Sequence, residues 1–277
     1  MQVDSIISNT ISQDIRLKGH QSIRFLPDGF SFLVTDASYR PVLLNHYTYG
    51  PEIPVTRFPG ECGRILGEMN LLSFEGESVM IVNSPAVTPV PEQFYDESLR
   101  RDLLEKAAGL DENDQVLSRF IRGRKLYLIY AIQPEIIALK SRFLKEVKIL
   151  HSLECLVSLS DQVQASDHQR GMVLADVQAQ TLDLLVIIED GIRLANRFTL
   201  KDTSDFIYHT LNTFRQLGLD LNIIPVYLSG VIHGDHELNG LLKKYIRHVR
   251  TTPYYLESLP REEVLRSMVL SEGIKCA

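Results

Sequence analysis

The run from Arg170 to Gly230 limits what this chain can fold into more than any other stretch, because it spells one supersecondary unit almost without interruption. MVLADV, TLDLLVIIED and IRLANRFTL read as three short strands. In the second, Leu182, Leu184, Val186 and Ile188 alternate with Asp183, Leu185, Ile187 and Glu189, giving one apolar face and one mixed face. That pattern suits a strand in a sheet covered on both sides. Glu189-Asp190-Gly191 supplies a tight turn: an Asp-Gly pair accepts the positive φ angles of a two-residue hairpin, so the second and third strands should be antiparallel neighbours. Asp202 stands at a helix N-cap position and Asp205 can answer it three residues later, a capping box with an acidic first turn. Phe206, Ile207, Leu211, Phe214 and Leu217 follow at helical spacing and Gly218 ends the helix, which spans Thr203 to Leu217. IIPVYLSG then reads as a buried strand, parallel to the first.

The same order appears earlier in the chain. Residues 1–20 are polar and irregular, an extra edge strand or a loose arm. Ser22–Leu26 and Phe30–Thr35 flank Pro27-Asp28-Gly29 and form a hairpin by their turn chemistry, and Pro41–Tyr49 is a third strand. Cys62, Ile65, Leu66, Met69 and Leu72 mark a helix over Gly60–Leu72, and Ser78–Asn83 a short buried strand. Three strands, a helix and a strand therefore occur twice, at a period on the order of 140 residues, which suits a duplicated domain and is too long for a solenoid.

An insertion over about 85–165 separates the two units. Its prolines, in Thr88-Pro89-Val90-Pro91, lead to a helix over Phe94–Ala108 that Gly109 stops. Asp111–Asp114 is an acidic loop, and Val116–Ile121 pairs with Leu126–Ile132 about Arg122-Gly123-Arg124. Pro134 opens a helix to about Lys145, Val147–Leu150 is a strand and Ser152–Val163 a helix. Gln164–Arg170, polar throughout except for Ala165, marks the boundary between a first half-domain, 1–166, and a second, 167–277. After Gly230, Leu238, Leu241, Leu242, Tyr245, Ile246 and Val249 mark an amphipathic helix, Pro253–Leu256 a last strand, and Pro260–Val269 a closing helix.

Composition removes several function classes. The net charge of −6 leaves no concentrated basic face of the kind nucleic acid needs. The one basic cluster, Arg119, Arg122, Arg124 and Lys125, reads as a solvated hairpin tip. MQVDSIISNTISQD lacks the basic lead and apolar core of a secretory leader, and no run approaches the roughly 18 apolar residues of a membrane span. Three widely spaced cysteines, Cys62, Cys155 and Cys276, suggest neither a disulfide framework nor a zinc site, and a reducing cytoplasm is the expected address.

On these elements the chain resembles the actin-like superfamily, which holds sugar kinases, heat-shock chaperones and actin. It is nearest in pattern to the pilus-assembly and type II secretion branch, and within the superfamily it is especially similar to an uncharacterised bacterial family of about this length. Four stretches carry the resemblance, SIRFLPDGFSFLV, VMIVNSPAVTPVP, KLYLIYAIQPEIIALK, and ADVQAQTLDLLVI with VYLSGVI, and it covers most of residues 20–250. It implies an α/β fold of two duplicated actin-like, ribonuclease H-like half-domains, the first carrying the insertion.

It also implies where a nucleotide would sit. In that superfamily each half opens with a hairpin whose acidic-x-glycine turn wraps the phosphates and metal, the backbone approaching closely only where the residue is small. The matching positions of the second half are Asp176, Gln178 and Thr181, with glutamine where the glycine belongs. In the first half Arg24 and Phe25 stand where the acidic residue would be. After the buried strand, Ser229-Gly230-Val231 keeps one glycine of the usual pair. A missing first carboxylate removes a main metal anchor, and phosphoryl transfer depends on metal and positioning. Taken alone, Asp176 is a strand-end carboxylate making local hydrogen bonds.

His233, Asp235 and His236 fall together with Glu237 and are ordinary zinc-ligand types. Asp235 more simply caps a following helix, and the remaining histidines are isolated. Gly-x-Ser-x-Gly and Gly-Lys-Ser/Thr motifs are absent. Three functions remain. The leading one is a non-catalytic actin-like scaffold, a pseudoenzyme without cofactor, that binds a protein partner or itself across the cleft or through the insertion. The second is a Mg-ATP-binding ATPase or small-molecule kinase using Asp176, Gln178, Thr181, Ser229 and Gly230. The third is a metal hydrolase centred on His233 and His236. Side chains filling the phosphate position would favour the scaffold.

Overall fold

A computed structural model describes residues 1–143, 147–167, 171–189, 191–231 and 237–276. In chain order the first half contains β1 (Gln2–Ser8), α1 (Gln13–Lys18), β2 (His20–Leu26), β3 (Gly29–Thr35), β4 (Pro41–Thr48), α2 (Phe58–Glu68) and β5 (Glu77–Val82). Next come β6 (Val87–Pro91), α3 (Arg100–Ala108), β7 (Gln115–Ile121), β8 (Leu126–Ile132), α4 (Pro134–Lys140), β9 (Lys148–His151) and α5 (Ser152–Asp167). The second half adds β10 (Gly171–Val177), β11 (Thr181–Ile188), β12 (Gly191–Thr199), α6 (Thr203–Leu217), β13 (Val226–Gly230), α7 (Glu237–Leu242), β14 (Val249–Thr251) and α8 (Arg261–Cys276).

Two sheets share one strand order. The first runs β1-β4-β3-β2-β5-β9 and the second β12-β11-β10-β13-β14; in each, a three-strand antiparallel meander is extended by two parallel strands, and the first sheet adds β1, antiparallel to β4, at its edge. The registers coincide as well. In the first hairpin Arg24 faces Ser31 and Leu26 faces Gly29, while in the second Asp176 faces Asp183 and the Gln178 amide donates to the Thr181 carbonyl. Arg24 and Asp176, 152 residues apart, thus occupy equivalent places at the ends of β2 and β10. A separate three-stranded sheet, β6-β8-β7, forms the body of the insertion with α3 laid against it.

Local chemistry explains most of these elements. Asp202 and Asp205 close the expected capping box on α6, and Gly218 ends it in the left-handed region at φ 64°. The hairpin of β7 and β8 turns at 122–124, as its spacing predicts.

Several boundaries differ from the sequence reading for identifiable reasons. Of the two readings of the polar amino terminus, the extra edge strand holds and the loose arm does not: β1 pairs with β4 at the edge of the first sheet, and Ser12 caps α1. The helix expected from Phe94 begins at Arg100, because Asp96 first caps a short 3-10 turn and Phe94 stays exposed. Strands β11 and β12 do turn back on each other, but Glu189 takes the positive φ and Gly191 already pairs with Ile188. Helix α5 continues to Asp167, beyond Val163; Gln164 is polar because it donates to the Glu189 carbonyl and accepts from Arg124.

The amphipathic helix after Gly230 is short. Leu242, Ile246 and Val249 are buried together as expected, but Val249 sits in β14, which pairs with β13 and completes the sheet. No strand forms over Pro253–Leu256. Helix α8 outruns Val269 to Cys276 because its polar end is engaged: Glu272, buried, accepts from Ser158, Gln162 and Tyr254. Gly273 lets α8 approach β5 closely, since a Cβ there would meet Ile81 Cδ1 at 2.4 Å.

The basic hairpin tip is only partly solvated. Arg124 reaches Asp161, Ser160 and Gln164, and Arg119 pairs with the buried Glu154 at 2.7 Å. No helix among the described residues is long and apolar enough to cross a membrane.

Candidate functional site

The ends of β2, β5, β10 and β13 point toward one another, and two hairpin turns, Leu26–Gly29 and Gln178–Thr181, face each other across the gap. Arg24 leaves β2 into that gap with its side chain only 2 % exposed. An arginine desolvated to this degree needs a carboxylate partner. Its Nη2 donates to Asp176 Oδ2 at 2.6 Å, and Asp183 lies 3.9 Å away.

Asp176 is spent on this arrangement. Its Oδ1 accepts from the Ser229 hydroxyl at 2.9 Å, and its Oδ2 accepts from Gln178 Nε2 at 3.1 Å as well as from Arg24. Three of the five sequence-derived nucleotide positions, Asp176, Gln178 and Ser229, are therefore brought together, but around an arginine. Thr181 stands at the far end of the turn, buried, with a hydroxyl that has no partner among the described residues. Gly230 is used by the backbone. At φ 88° its missing Cβ would lie 1.9 Å from the Val177 carbonyl oxygen, and the next amide, of Val231, donates to that same oxygen at 2.8 Å.

A second buried pair adjoins the first. Arg197 on β12 grips Asp183 with two bonds, Nε to Oδ1 at 2.6 Å and Nη2 to Oδ2 at 2.5 Å, the planar fork geometry that only arginine offers. Ser152, at the start of α5, donates to Asp183 and accepts from Arg197. With its carboxamide oxygen turned toward Arg197, Asn83 accepts two further bonds at 2.7 and 3.0 Å. Burial pushes the Asp183 carboxyl up, but Arg197, helped by His151 and Arg24, outweighs it and holds the group below the usual carboxylate range. Burial, reinforced by Arg197, drives His151 down to about 4, so the ring is neutral. Its Nε2 lies 2.9 Å from the Ser84 carbonyl and its Nδ1 accepts from the Leu153 amide, which places the proton on Nε2.

Two spaces border this layer of charges. One, of about 40 Å³, is lined by Arg24, Leu26, Asp28, Gln178, Ala179 and Val231 among others, the two turns and the residue after Gly230. At roughly 10–15 Å³ per water it has room for about three waters and none for a phosphate chain. The other, about 480 Å³, lies where the first half, the insertion and the second half meet, and Asn83, Arg197 and Thr181 line it. That volume falls within the range of small-ligand sites.

Reading the sequence placed Arg24 where an acidic residue belongs, yet did not pair it with Asp176, and it passed over Asp183, Arg197, Ser152 and Asn83. The available signal was the internal repeat, which lays Arg24 over Asp176 and Ser31 over Asp183. His233, Asp235 and His236 lie outside the described residues. Among the described residues no group of three His, Cys, Asp or Glu side chains is gathered where it could hold a metal ion.

Comparison with known proteins follows the same lines. The model of a family described as a protein of unknown function, DUF3822, matches residues 8–249. No curated protein matches the chain. The structure is similar to a Bacteroides thetaiotaomicron VPI-5482 protein with an actin-like ATPase fold and unknown function: TM-score 0.78, 19% identity, 94% of this chain and 96% of that one covered. It is also similar to a chain of the PilM-PilN type IV pilus biogenesis complex, with TM-score 0.60, 14% identity and coverage of 94% and 98%. A third likeness is to the ethanolamine utilization protein EutJ from Carboxydothermus hydrogenoformans, with TM-score 0.51, 9% identity and coverage of 97% and 91%. At these identities the likeness shows the fold, which is the actin-like ATPase fold, and no more.

Proposed function

The chain belongs to the DUF3822 family and has an actin-like ATPase fold, and from that premise we propose that it is a non-catalytic scaffold that acts by binding a protein partner. The observation that carries this reading is the buried Arg24–Asp176 pair at 2.6 Å. The two positions are equivalent in the two halves, and the resemblance implies that both would be acidic in a nucleotide-hydrolysing relative. Here one is a guanidinium bound to the other. A fixed positive charge stands where the resemblance implies a metal ion would be held, and the 40 Å³ space beside it is too small for a triphosphate.

The larger cavity offers no substitute. Its lining includes Asp111 and Asp114, which repel phosphate, and the cation in that lining, Arg197, is committed to Asp183 and Asn83. The likeness to PilM, solved in complex with PilN, supports a protein as the partner. The cytoplasm remains the proposed address, with a half-domain boundary near 166–167.

Calorimetric titration of Mg-ATP into metal-free protein tests the reading. The expected result is no saturable heat. Saturable heat at micromolar ligand, lost in Asp176→Ala, would replace the scaffold with an ATPase or kinase built on Asp176, Gln178, Thr181, Ser229 and Gly230.

A further inference from the structure

Two of the three cysteines, distant in sequence, meet where α5 packs against α8. Glu272 fixes that packing, accepting from Ser158 at 2.7 Å and from Gln162 at 2.8 Å. Cys155 lies one helical turn before Ser158 on α5, and Cys276 lies one turn after Glu272 on α8. The two steps run antiparallel and carry both side chains the same way along the seam. There the sulfurs are hydrogen-bonded to each other as free thiols. The two are unlike. Cys155 is fully buried, whereas Cys276, at the end of α8, is half-buried. The Cys155 thiol, as donor, holds the Cys276 thiol below its ordinary value; through the same contact, with burial added, Cys155 itself is pushed well up. Glu272 opposes a thiolate at Cys276, but its carboxylate is bound by Ser158, Gln162, Tyr254 and Lys275. A partly accessible thiol of thiolate character beside a buried one is the arrangement of an attacking sulfur and a resolving sulfur.

We propose that Cys155 and Cys276 form a modification site, a dithiol that a peroxide closes into a disulfide and that a dithiol reductant reopens. The Cys276 sulfur attacks one peroxide oxygen; the O–O bond breaks, one water leaves and Cys276 becomes a sulfenic acid. The Cys155 sulfur then displaces the hydroxyl from it, its own proton leaving with that hydroxyl as a second water, and the S–S bond closes. The two thiols lose two electrons together, and one peroxide is reduced to two waters. Reversible closure of this kind is the use a reducing compartment leaves to a cysteine pair. Helix α8 packs against β2, β3 and β5 of the first sheet and against β13 of the second, and α5 leads from the first half into the second. The bond would fasten the helix that touches both sheets to the helix that joins the halves. Cys62, buried in α2 with its thiol pushed up by burial alone, is the internal control. The inference does not rest on the scaffold reading and would hold for a nucleotide-binding protein as well.

Dithiobis(nitrobenzoate) tests the pair in the folded, reduced chain. Attack by Cys276 releases one thionitrobenzoate, and attack by Cys155 on the mixed disulfide releases a second. The expected result is two equivalents released per chain, no adduct retained in the intact mass, and a Cys155–Cys276 linked peptide in a non-reducing digest, with Cys62 alkylated only after unfolding. Hydrogen peroxide should yield the same linked peptide. The oxidised chain should unfold at a midpoint higher by about 5 °C or more, and dithiothreitol should reverse the shift. Cys276→Ser, at a half-buried helix end, should release no thionitrobenzoate and show no shift. Cys155→Ser should release one equivalent and keep the adduct. The wild-type stoichiometry and mass decide the matter even where a variant fails to fold. No release from the folded chain, one equivalent with the adduct retained, a peroxide product that stops at a Cys276 sulfinate or a Cys276–Cys276 dimer, or a linked peptide containing Cys62 would overturn the proposal.

Discussion

Arg24 and Asp176 are the same position in two copies of one structural unit, and they are bonded to each other at 2.6 Å with both side chains at most 2 % exposed. A duplicated fold that brings its strand ends together places equivalent residues face to face. Like charges there repel unless a cation lies between them, whereas opposite charges bind directly. With an arginine at position 24, the halves are joined by a covalently fixed cation.

Removing one partner should be costly. Arg24→Ala leaves Asp176 desolvated without its counter-charge and is expected to lower unfolding free energy by about 3–5 kcal/mol. The exposed pairs of Arg64 with Glu61 and Glu68 form the control: Arg64→Ala, whose partners are solvated, should cost far less than Arg24→Ala. Urea unfolding of the two variants, compared at equal m value, decides the matter, and equal costs would show that burial of the cross-half pair has no energetic weight.

Arg197→Lys should also destabilise, by about 2–3 kcal/mol, although charge is conserved. An ammonium cannot reproduce the two-bond grip on Asp183 while also donating to Asn83. A change below about 0.5 kcal/mol in the same unfolding assay would contradict the planar-fork argument.

His151 makes stability depend on pH in a set direction. Its folded pKa of about 4 lies below the ordinary value of 6.5, so between these values the unfolded chain binds the extra proton. Its contribution is fully present above pH 6.5 and is lost as pH falls toward 4, by about 3 kcal/mol in all. His46, also pushed down by burial, adds to the loss in the same direction. His151→Gln should flatten the acid limb of a stability-against-pH curve, and an unchanged slope would rule out His151 as its source.

Gly230→Ala should cost more than about 2 kcal/mol, because it puts a side chain in the left-handed region and a Cβ 1.9 Å from the Val177 carbonyl. Gly218→Ala, at φ 64° with open space around it, should cost less than that, about 1 kcal/mol. Reversed order in thermal unfolding would mean that the β10–β13 approach is not the constraint at Gly230.

Much of the fold was legible in the residues. Alternation in TLDLLVII, the Asp202–Asp205 cap, Gly218 and the Arg122-Gly123-Arg124 turn each act within a few positions of chain, so their structural effect follows from local sterics and hydrogen bonding. The repeated order of strands and helices was visible for the same reason, and it carried the fold class. The partners of charged side chains were not visible. Whether Arg24 meets water, phosphate or Asp176 depends on where a strand 152 residues away ends, and the sheet register settles that. Likewise Asp183 read as the polar side of an alternating strand, yet lies buried between Arg197 and Ser152, because α5 covers the face that the pattern left mixed. The residues themselves thus determined the two-unit architecture and set an arginine at position 24; the tertiary structure alone decided what that arginine binds, since desolvated charges find their partners through space and not along the chain.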